Sequence, residues 1–470
     1  MYFLRRGLLL LIFKMLCGRI ISEHIHLQRI KRSEIMNIKK QFAKYVSQNI
    51  LGMVGMSLYI IADTYFISLA VGAKGIAALN LVLPVYSLIF AVGAMIGVGS
   101  AIRFAVDAGR KATDRDKYFF NALFWGTAIG LIFSAVGFFF PGQVISIMGG
   151  DSVITAAGSG YTRIFMSFAP FFILNHICNA FVRNDGAPSV SMAATLSSSL
   201  FNIAADYILM FPLGMGMEGA ALATAISPIV GVLVCCRHFI SKKCSVKLKF
   251  SMPSLRQLER ACVLGISSFV GEISSGVTTA VFNGLILSAA GNMGVAAYGV
   301  IANCSIVATS IYNGIAQGSQ PIASRLYGDG DESGVKKVIK LAALTDLMIS
   351  AVLITAVCVF TKPISGIFNS ENDPLLAAYA ENGMRLYFPG FVFAGLNIAG
   401  AGLLSAVEAA SGAFAISVSR GFVSIILCAV IMSALWGLNG VWLSFAAAEL
   451  ITFFITFIQM KKNISRLGEK

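Results

Sequence analysis

Charged residues are scarce in this sequence. Only 12% of its 470 residues are Asp, Glu, Lys or Arg, and its mean hydropathy is +0.80. Soluble globular domains carry about 25% charged residues. This shortage excludes an ordinary soluble protein and indicates a chain that crosses a membrane many times.

Catalytic signatures are also missing. The chain has only four His, and neither H-E-x-x-H nor G-x-S-x-G occurs in it. None of the nine Cys stands in a C-x-x-C pair, so we expect reduced thiols rather than a zinc or redox motif. We therefore predict that the protein is not an enzyme, uses no cofactor, and holds no metal unless Na⁺ serves as its coupling ion.

What the chain does contain is long apolar runs. Twelve runs of roughly 20 residues, each long enough to cross a bilayer as a helix, lie between polar breaks. We predict an all-α polytopic membrane protein with twelve transmembrane helices. They cover residues 45–70, 80–102, 118–141, 159–182, 188–211, 218–237, 262–288, 294–324, 338–361, 378–405, 411–435 and 440–460.

The basic residues lie on one side of these predicted spans. Most of the 36 Lys and Arg precede helix 1, follow helix 12, or occupy the loops after helices 2, 4, 6 and 8. The positive-inside rule then places both termini in the cytoplasm of a plasma-membrane protein. The net charge of +14 therefore reflects topology, and we expect no nucleic-acid partner. The exceptions are Lys74, Lys362, Arg163, Arg385 and Arg420.

The sequence repeats itself once. The segment "GAKGIAALN" at 72–80 is similar to "GNMGVAAYG" at 291–299, which lies 219 residues later. Gly109 and Gly328 stand at the same offset. A duplicated unit of six helices gives two pseudo-symmetric lobes of equal orientation, with a cavity between them. This architecture is typical of a carrier that alternates between two openings.

The repeat also defines the expected domains. A cytoplasmic linker joins the two lobes, and a basic segment precedes the first one, with Met36 as an alternative start of translation. The expected units are an N-terminal extension (1–44), an N-lobe with helices 1–6 (45–240), the linker (241–260), a C-lobe with helices 7–12 (261–462) and a cytoplasmic tail (463–470).

Two aspartates interrupt the apolar helices of the first half. An ionisable side chain at membrane depth costs at least a few kcal/mol and marks a functional site. Asp63 and Asp206 lie equally far along helices 1 and 5, with Asn202 one turn before Asp206 and Thr224 at similar depth on helix 6. These groups predict a site for a hard cation or a shared proton. The alternative is that neighbouring helices satisfy each group singly.

The chain resembles a known family in three segments, which are "IADTYFIS" around Asp63, "FVRNDGAPSVSM", and "NIAADYILMFPLGMGMEGAALATAIS" around Asp206. Together, in this order and at these spacings, they are similar to the multidrug and toxic compound extrusion (MATE) family, with the clostridial-type branch nearest. The resemblance covers about residues 40–460.

The resemblance implies a V-shaped pair of six-helix lobes. Such a protein exports amphipathic, often cationic organic compounds in exchange for Na⁺ or H⁺, by alternating access. In some members the N-lobe cation site uses an Asp of helix 1, an Asn and an Asp four residues apart on helix 5, and a Thr of helix 6. The residues that match this set are Asp63, Asn202, Asp206 and Thr224.

We expect the substrate cavity to contain polar residues of the C-lobe. Phe282 stands where the repeat would place a partner of Asp63, so the C-lobe lacks an equivalent carboxylate there. The expected partners are small, cationic organic substrates and the lipid bilayer, and we expect a monomer. The candidate cavity residues are Glu272, Asn283, Glu408, Arg420 and Glu449.

An alternative with the same fold is a flippase for a lipid-linked oligosaccharide. A pyrophosphate lipid would require several arginines inside the cavity. Only Arg420 and Arg385 lie where they could serve, so this alternative ranks second.

Overall fold

The computed structural model of the protein describes the backbone of residues 2–369 and 373–465. Side chains are described over the same range except at 2–36, 73–78, 153 and 157. The side chains of most of the expected N-terminal extension, Met36 included, and the last five residues of the expected tail lie outside the described residues.

The described chain folds into fifteen helices, with a short 3₁₀ turn (Phe388–Gly390) and a π-helical turn (Ser419–Val423) between some of them. The helices are α1 (Tyr2–Val71), α2 (Ala73–Gly109), α3 (Lys117–Phe139), α4 (Pro141–Ile147), α5 (Ser152–Ser167), α6 (Ala169–Asn184), α7 (Pro188–Met210), α8 (Gly216–Phe239), α9 (Leu255–Gly328), α10 (Glu332–Val359), α11 (Thr361–Phe368), α12 (Pro374–Tyr387), α13 (Phe391–Ala406), α14 (Ala410–Val418) and α15 (Ser424–Ser465).

The described helices correspond to twelve membrane passes, because some helices contain two passes and others combine into one. At 1.5 Å per residue the 74-residue α9 would be about 110 Å long, far more than a bilayer core of about 30 Å, and its backbone departs from helical geometry at Gly291. The backbone of α15 departs in the same way at Gly437. Each break separates two passes. Helices α5 and α6 form one pass bent by 45°, and α12 and α13 form another across the 3₁₀ turn.

Helix α7 crosses the membrane although its sequence is more polar than that of most other spans of the described chain. Its residues Ser199, Asn202 and Asp206 are buried, so its polar face lies inside the protein. This helix carries two of the four predicted cation-site residues. The polar face of α7 therefore coincides with its contribution to the predicted site.

Glycines with a left-handed backbone form corresponding breaks in the two halves. Gly72 has φ 72° and ψ −155°, and Gly291, 219 residues later, has φ 63° and ψ −161°. Gly216 and Gly437 form a second pair, with φ 52° and 56°. Residues other than glycine avoid this backbone region of positive φ, so the repeated turns require the repeated glycines. The sequence repeat is thus a repeat of backbone geometry.

Each lobe has its own apolar core. The N-lobe core includes Ile89, Phe104 and Phe181, and the C-lobe core includes Phe282 and Trp442. The first described turns of α1 are an exception, because Phe42 and Val46 pack into the C-lobe core. Helix α1 therefore contacts both lobes.

The lobes meet at the end of the bundle that carries the linker and the loops after α2 and α9, which we call the basic end. Here α2 and α9 lie in backbone contact, because a Cβ atom at Gly265 would collide with the carbonyl oxygen of Met95. The repeat partners Gly109 and Gly328 face one another in the same contact. Glycine thus permits the two lobes to close tightly at this end.

Replacing Gly265 by Ala should destabilise the closed basic end. The added methyl group meets a backbone carbonyl that cannot move aside, so we expect a loss of about 1–3 kcal/mol of stability. The measurement is thermal unfolding of the purified protein in detergent. Gly276→Ala is the matched control on the same helix, since a Cβ there meets no atom within 4 Å. Equal unfolding temperatures for the two variants would contradict the proposed contact.

Candidate functional site

The four residues predicted to form a cation site come together in the N-lobe. Asp63 lies on α1, Asn202 and Asp206 lie on α7, and Thr224 lies on α8. Asn202 and Asp206 are 0% exposed and Thr224 is 3% exposed, whereas Asp63 is half-buried. The amide of Asn202 donates to the hydroxyl of Thr224 over 3.3 Å. Three helices therefore direct oxygen-bearing side chains into one small volume.

The two carboxyl groups at this site lie within hydrogen-bonding reach of one another. Both oxygens of Asp206, and Oδ1 of Asp63 and of Asn202, are buried without any hydrogen-bond donor among the described residues. A buried carboxylate without a partner is costly, and two adjacent ones are more so. Such a pair requires a cation, either a metal ion or a proton shared between the oxygens.

Three tyrosines lie near the carboxyl pair, and they are not among the residues predicted from the sequence. Tyr59 lies one helical turn before Asp63, and its hydroxyl is 3.0 Å from that of Tyr86. Tyr59 and Tyr161 both lie close enough to interact electrostatically with Asp63 and Asp206. The i,i+4 spacing of Tyr59 and Asp63 was the available signal, because it puts both on one helix face.

A cavity of about 340 Å³ lies between the two lobes. Its N-lobe wall includes Met53, Met56, Tyr59 and Phe90, and its C-lobe wall includes Glu272, with further polar side chains. Methionine and aromatic side chains adapt to apolar ligands of different shape. Because Tyr59 faces the cavity and also neighbours Asp63, the cavity and the carboxyl pair share a wall.

The cavity contains charges of both signs. Glu272 is the predicted acidic residue that does line it, and its side chain is accessible there. Arg183, on the last turn of α6, also lines it, is 5% exposed, and donates to Gln317 of the other lobe over 2.8 Å. The fourth apolar run ends at residue 182, so the sequence predicts a loop position for Arg183 and gives no signal that it lines the cavity.

Arg420 lines the cavity as predicted, but its charge is compensated. Its Nε donates to Oε1 of Glu449 over 2.6 Å, and Asn397 donates to the other carboxylate oxygen over 2.8 Å. The π-helical turn at Ser419–Val423 places Arg420 on this face, and such turns are frequent at functional sites. Glu449 is therefore a buried counter-ion and does not line the cavity.

Two other predicted cavity residues lie elsewhere. Asn283 is half-buried outside the cavity, next to the fully buried Phe282. Glu408 lies at the basic end, where it pairs with Arg103 and, over 2.7 Å, with Arg110. Glu408 belongs to the C-lobe, Arg103 lies on α2 and Arg110 directly follows α2, so this cluster joins the lobes. A short helix break at 407–409 moves Glu408 away from the cavity.

One further buried carboxyl group stands apart from the site. Asp346 on α10 is 0% exposed, and neither of its oxygens has a partner among the described residues. It does not line the cavity, and it contacts the helix that carries Gly395. A single isolated acid can remain neutral in such a place, whereas the Asp63–Asp206 pair brings two acids together.

Known proteins are similar to this chain in sequence. The MatE family model matches residues 49–208 and 268–430, one segment in each lobe. The multidrug export protein MepA of Staphylococcus aureus (strain MSSA476) is 30% identical over 402 residues, covering 85% of this chain and 88% of the relative. MepA of Staphylococcus saprophyticus is 28% identical over 404 residues, with the same coverage.

Solved structures have the same fold. An outward-facing multidrug resistance MATE family transporter of the MOP superfamily superimposes with a TM-score of 0.87 at 20% identity, over 92% of this chain and 97% of that one. A MOP superfamily transporter from Pyrococcus furiosus gives 0.85 at 21% identity, with the same coverage. The predicted fold class and the prediction of a transporter rather than an enzyme are thereby confirmed. The chain belongs to the MATE family of multi-pass membrane transporters.

Proposed function

We propose that this transporter exports small amphipathic organic compounds by alternating access, driven by the entry of Na⁺ or H⁺. The coupling ion would bind at Asp63, Asn202, Asp206 and Thr224. The observation that carries the proposal is the buried carboxyl pair without a donor beside a cavity that both lobes line. The relatives named multidrug export proteins support the direction and the class of substrate.

The cation step follows from the electrostatics of the pair. With no cation bound, two carboxylates in an apolar environment repel one another, and α1 and α7 are pushed apart at this depth. A proton or Na⁺ removes the repulsion and lets the helices approach. The four residues supply carboxylate, amide and hydroxyl oxygens, which are the ligands of a hard cation.

Tyr59 would couple the ion site to the substrate cavity. Its side chain forms part of the cavity wall and lies near Asp63, Asp206 and Glu272. When α1 moves toward α7 on cation binding, Tyr59 moves with α1 and changes the cavity. An ion can drive substrate release only if it binds the substrate-free conformation more tightly than the substrate-bound one. The wall shared by the two sites would make the ion affinity depend on whether substrate is bound.

Alternating access would require the lobes to separate at the basic end. Glycine contacts and the Glu408 ion pairs close this end, which we assign to the cytoplasm from its Lys and Arg content. Both termini would then lie in the cytoplasm. Opening toward the cytoplasm would break the pairing of Glu408 with Arg103 and Arg110. The cavity lies within one chain, so a monomer suffices for this cycle.

The cavity favours an amphipathic substrate with a positive charge. Glu272 lies near Tyr59, and no basic side chain among the described residues forms an ion pair with it. The methionine and aromatic wall would contact the apolar part of the substrate. A flippase for a pyrophosphate lipid is less suited to this cavity, since Glu449 neutralises Arg420 and leaves Arg183 as its uncompensated arginine.

Asp206→Asn should abolish ion-driven transport. The amide cannot share a proton with Asp63 or offer a second anionic ligand, and we expect ion affinity to fall at least about tenfold. The measurement is accumulation of a fluorescent lipophilic cation in proteoliposomes under an imposed Na⁺ gradient and, separately, a proton gradient. Asp114→Asn, an exposed aspartate in the loop after α2, is the control and should transport normally. Normal accumulation by Asp206→Asn would refute the assignment.

Glu272→Gln should weaken binding of cationic substrates while leaving neutral ones nearly unaffected. A charge-assisted contact is worth about 1.5–3 kcal/mol, so we expect roughly a tenfold or larger loss of affinity for a lipophilic cation. Binding of a fluorescent cation and of an uncharged analogue to the detergent-purified protein measures the difference. Glu259→Gln, at the exposed start of α9, serves as the matched control. Equal losses for both ligands would show that Glu272 acts on cavity shape and not on charge.

A further inference from the structure

A second cluster of ligating side chains lies at the basic end, away from the cavity and the carboxyl pair. It consists of Asp185 in the turn between α6 and α7, His238 in the last turn of α8, and Cys244 in the segment between α8 and α9. Their ligand atoms all lie within 4.8 Å of one another. Three separate parts of the chain thus converge on one point of the lobe surface.

The side chains of this cluster are held in place by the protein. Those of His238 and Asp185 are 6% and 2% exposed, and His238 Nε2 lies 2.7 Å from Asp185 Oδ2. The backbone amide of Ser245 donates to the same oxygen over 2.9 Å, and the Ser245 hydroxyl donates to Asp185 Oδ1. Hydrogen bonds of this kind orient the ligands of metal sites.

The ligand chemistry fits zinc. Zn²⁺ binds thiolate, imidazole and carboxylate at about 2.0–2.3 Å in tetrahedral geometry, which places ligand atoms about 3.3–3.8 Å apart. Small side-chain rotations would bring Asp185, His238 and Cys244 to these separations, and water would supply the fourth ligand. A carboxylate and a thiolate together offset the two charges of the ion. Calcium and magnesium are disfavoured, because they prefer oxygen ligands alone.

Metal binding must displace the proton of the thiol. Burial, with the Asp185 carboxylate beside it, raises the pKa of Cys244 to about 11. The thiol is therefore protonated and unreactive in the absence of metal, and coordination would convert it to a thiolate.

We propose that Asp185, His238 and Cys244 form a Zn²⁺ site that fastens the inter-lobe linker to the N-lobe. The metal would tie the chain just before α9 to the ends of α6 and α8. Because α9 begins at Leu255, the site fixes where the chain leaves the N-lobe for the first helix of the C-lobe. The role is structural, and it does not depend on the transport mechanism proposed above.

The test is titration of chelator-treated, detergent-purified protein with Co²⁺, a spectroscopic substitute for Zn²⁺. We expect one Co²⁺ per chain, a thiolate-to-cobalt charge-transfer band, and loss of that band when Zn²⁺ is added. Cys244→Ser should remove the band. Ser245→Ala should weaken Co²⁺ binding about tenfold through the lost support of Asp185. Cys262→Ser, a free cysteine near the start of α9 outside the cluster, should bind as the unmodified protein does.

Thermal unfolding provides a second readout. Zn²⁺ should raise the unfolding temperature of the unmodified protein and of Cys262→Ser, but not that of Cys244→Ser. Should Cys244→Ser fail to fold, His238→Gln carries the same test. The absence of a charge-transfer band in the unmodified protein, or its persistence in Cys244→Ser and His238→Gln, would overturn the proposal and leave the cluster as a hydrogen-bonded anchor.

Discussion

The structure depends on one electrostatic constraint, the burial of Asp63 and Asp206 together without a hydrogen-bond donor. In water two carboxylates repel weakly, but in an apolar bundle the repulsion is strong and only a cation removes it. The C-lobe provides the contrast, since Glu449 is also buried but is neutralised by Arg420. The Asp63–Asp206 pair can bind and release a cation during a transport cycle. The Arg420–Glu449 pair is already neutral and stabilises the fold. This difference is why we assign ion coupling to the N-lobe.

The second constraint is the contact between the lobes. Gly109 and Gly328, related by the internal repeat, meet at the basic end, and Glu408 bridges the same end by ion pairs. The linker before α9 joins the lobes covalently, and α1 packs against the cores of both. Separation of the lobes at the basic end therefore requires these glycine contacts and ion pairs to break. Tight but breakable closure at one end is what a rocking carrier requires.

Much of the fold could be predicted from the sequence, because membrane spans, basic loops and repeated glycines are local signals. The depth match of Asp63 and Asp206 also followed from counting residues along helices. Positions that depend on local breaks could not be predicted. A helix break at 407–409 directs Glu408 away from the cavity, and the apolar pattern gives no sign of it. Arg183 follows the end of an apolar run, which predicts a loop, although it lines the cavity. Asp185 lies 53 residues before His238, and Cys244 follows in the linker, so only the folded chain brings the three side chains together.

The central claim is that Asp63 and Asp206 share a single cation. Infrared difference spectroscopy of the purified protein tests it most directly, because a protonated carboxyl group has a C=O band that a carboxylate lacks. We expect the unmodified protein to lose this band on raising the pH or on adding Na⁺, and we expect Asp63→Asn and Asp206→Asn each to alter that loss, because the remaining carboxyl group has no anionic neighbour. An unchanged difference spectrum in both variants would contradict it.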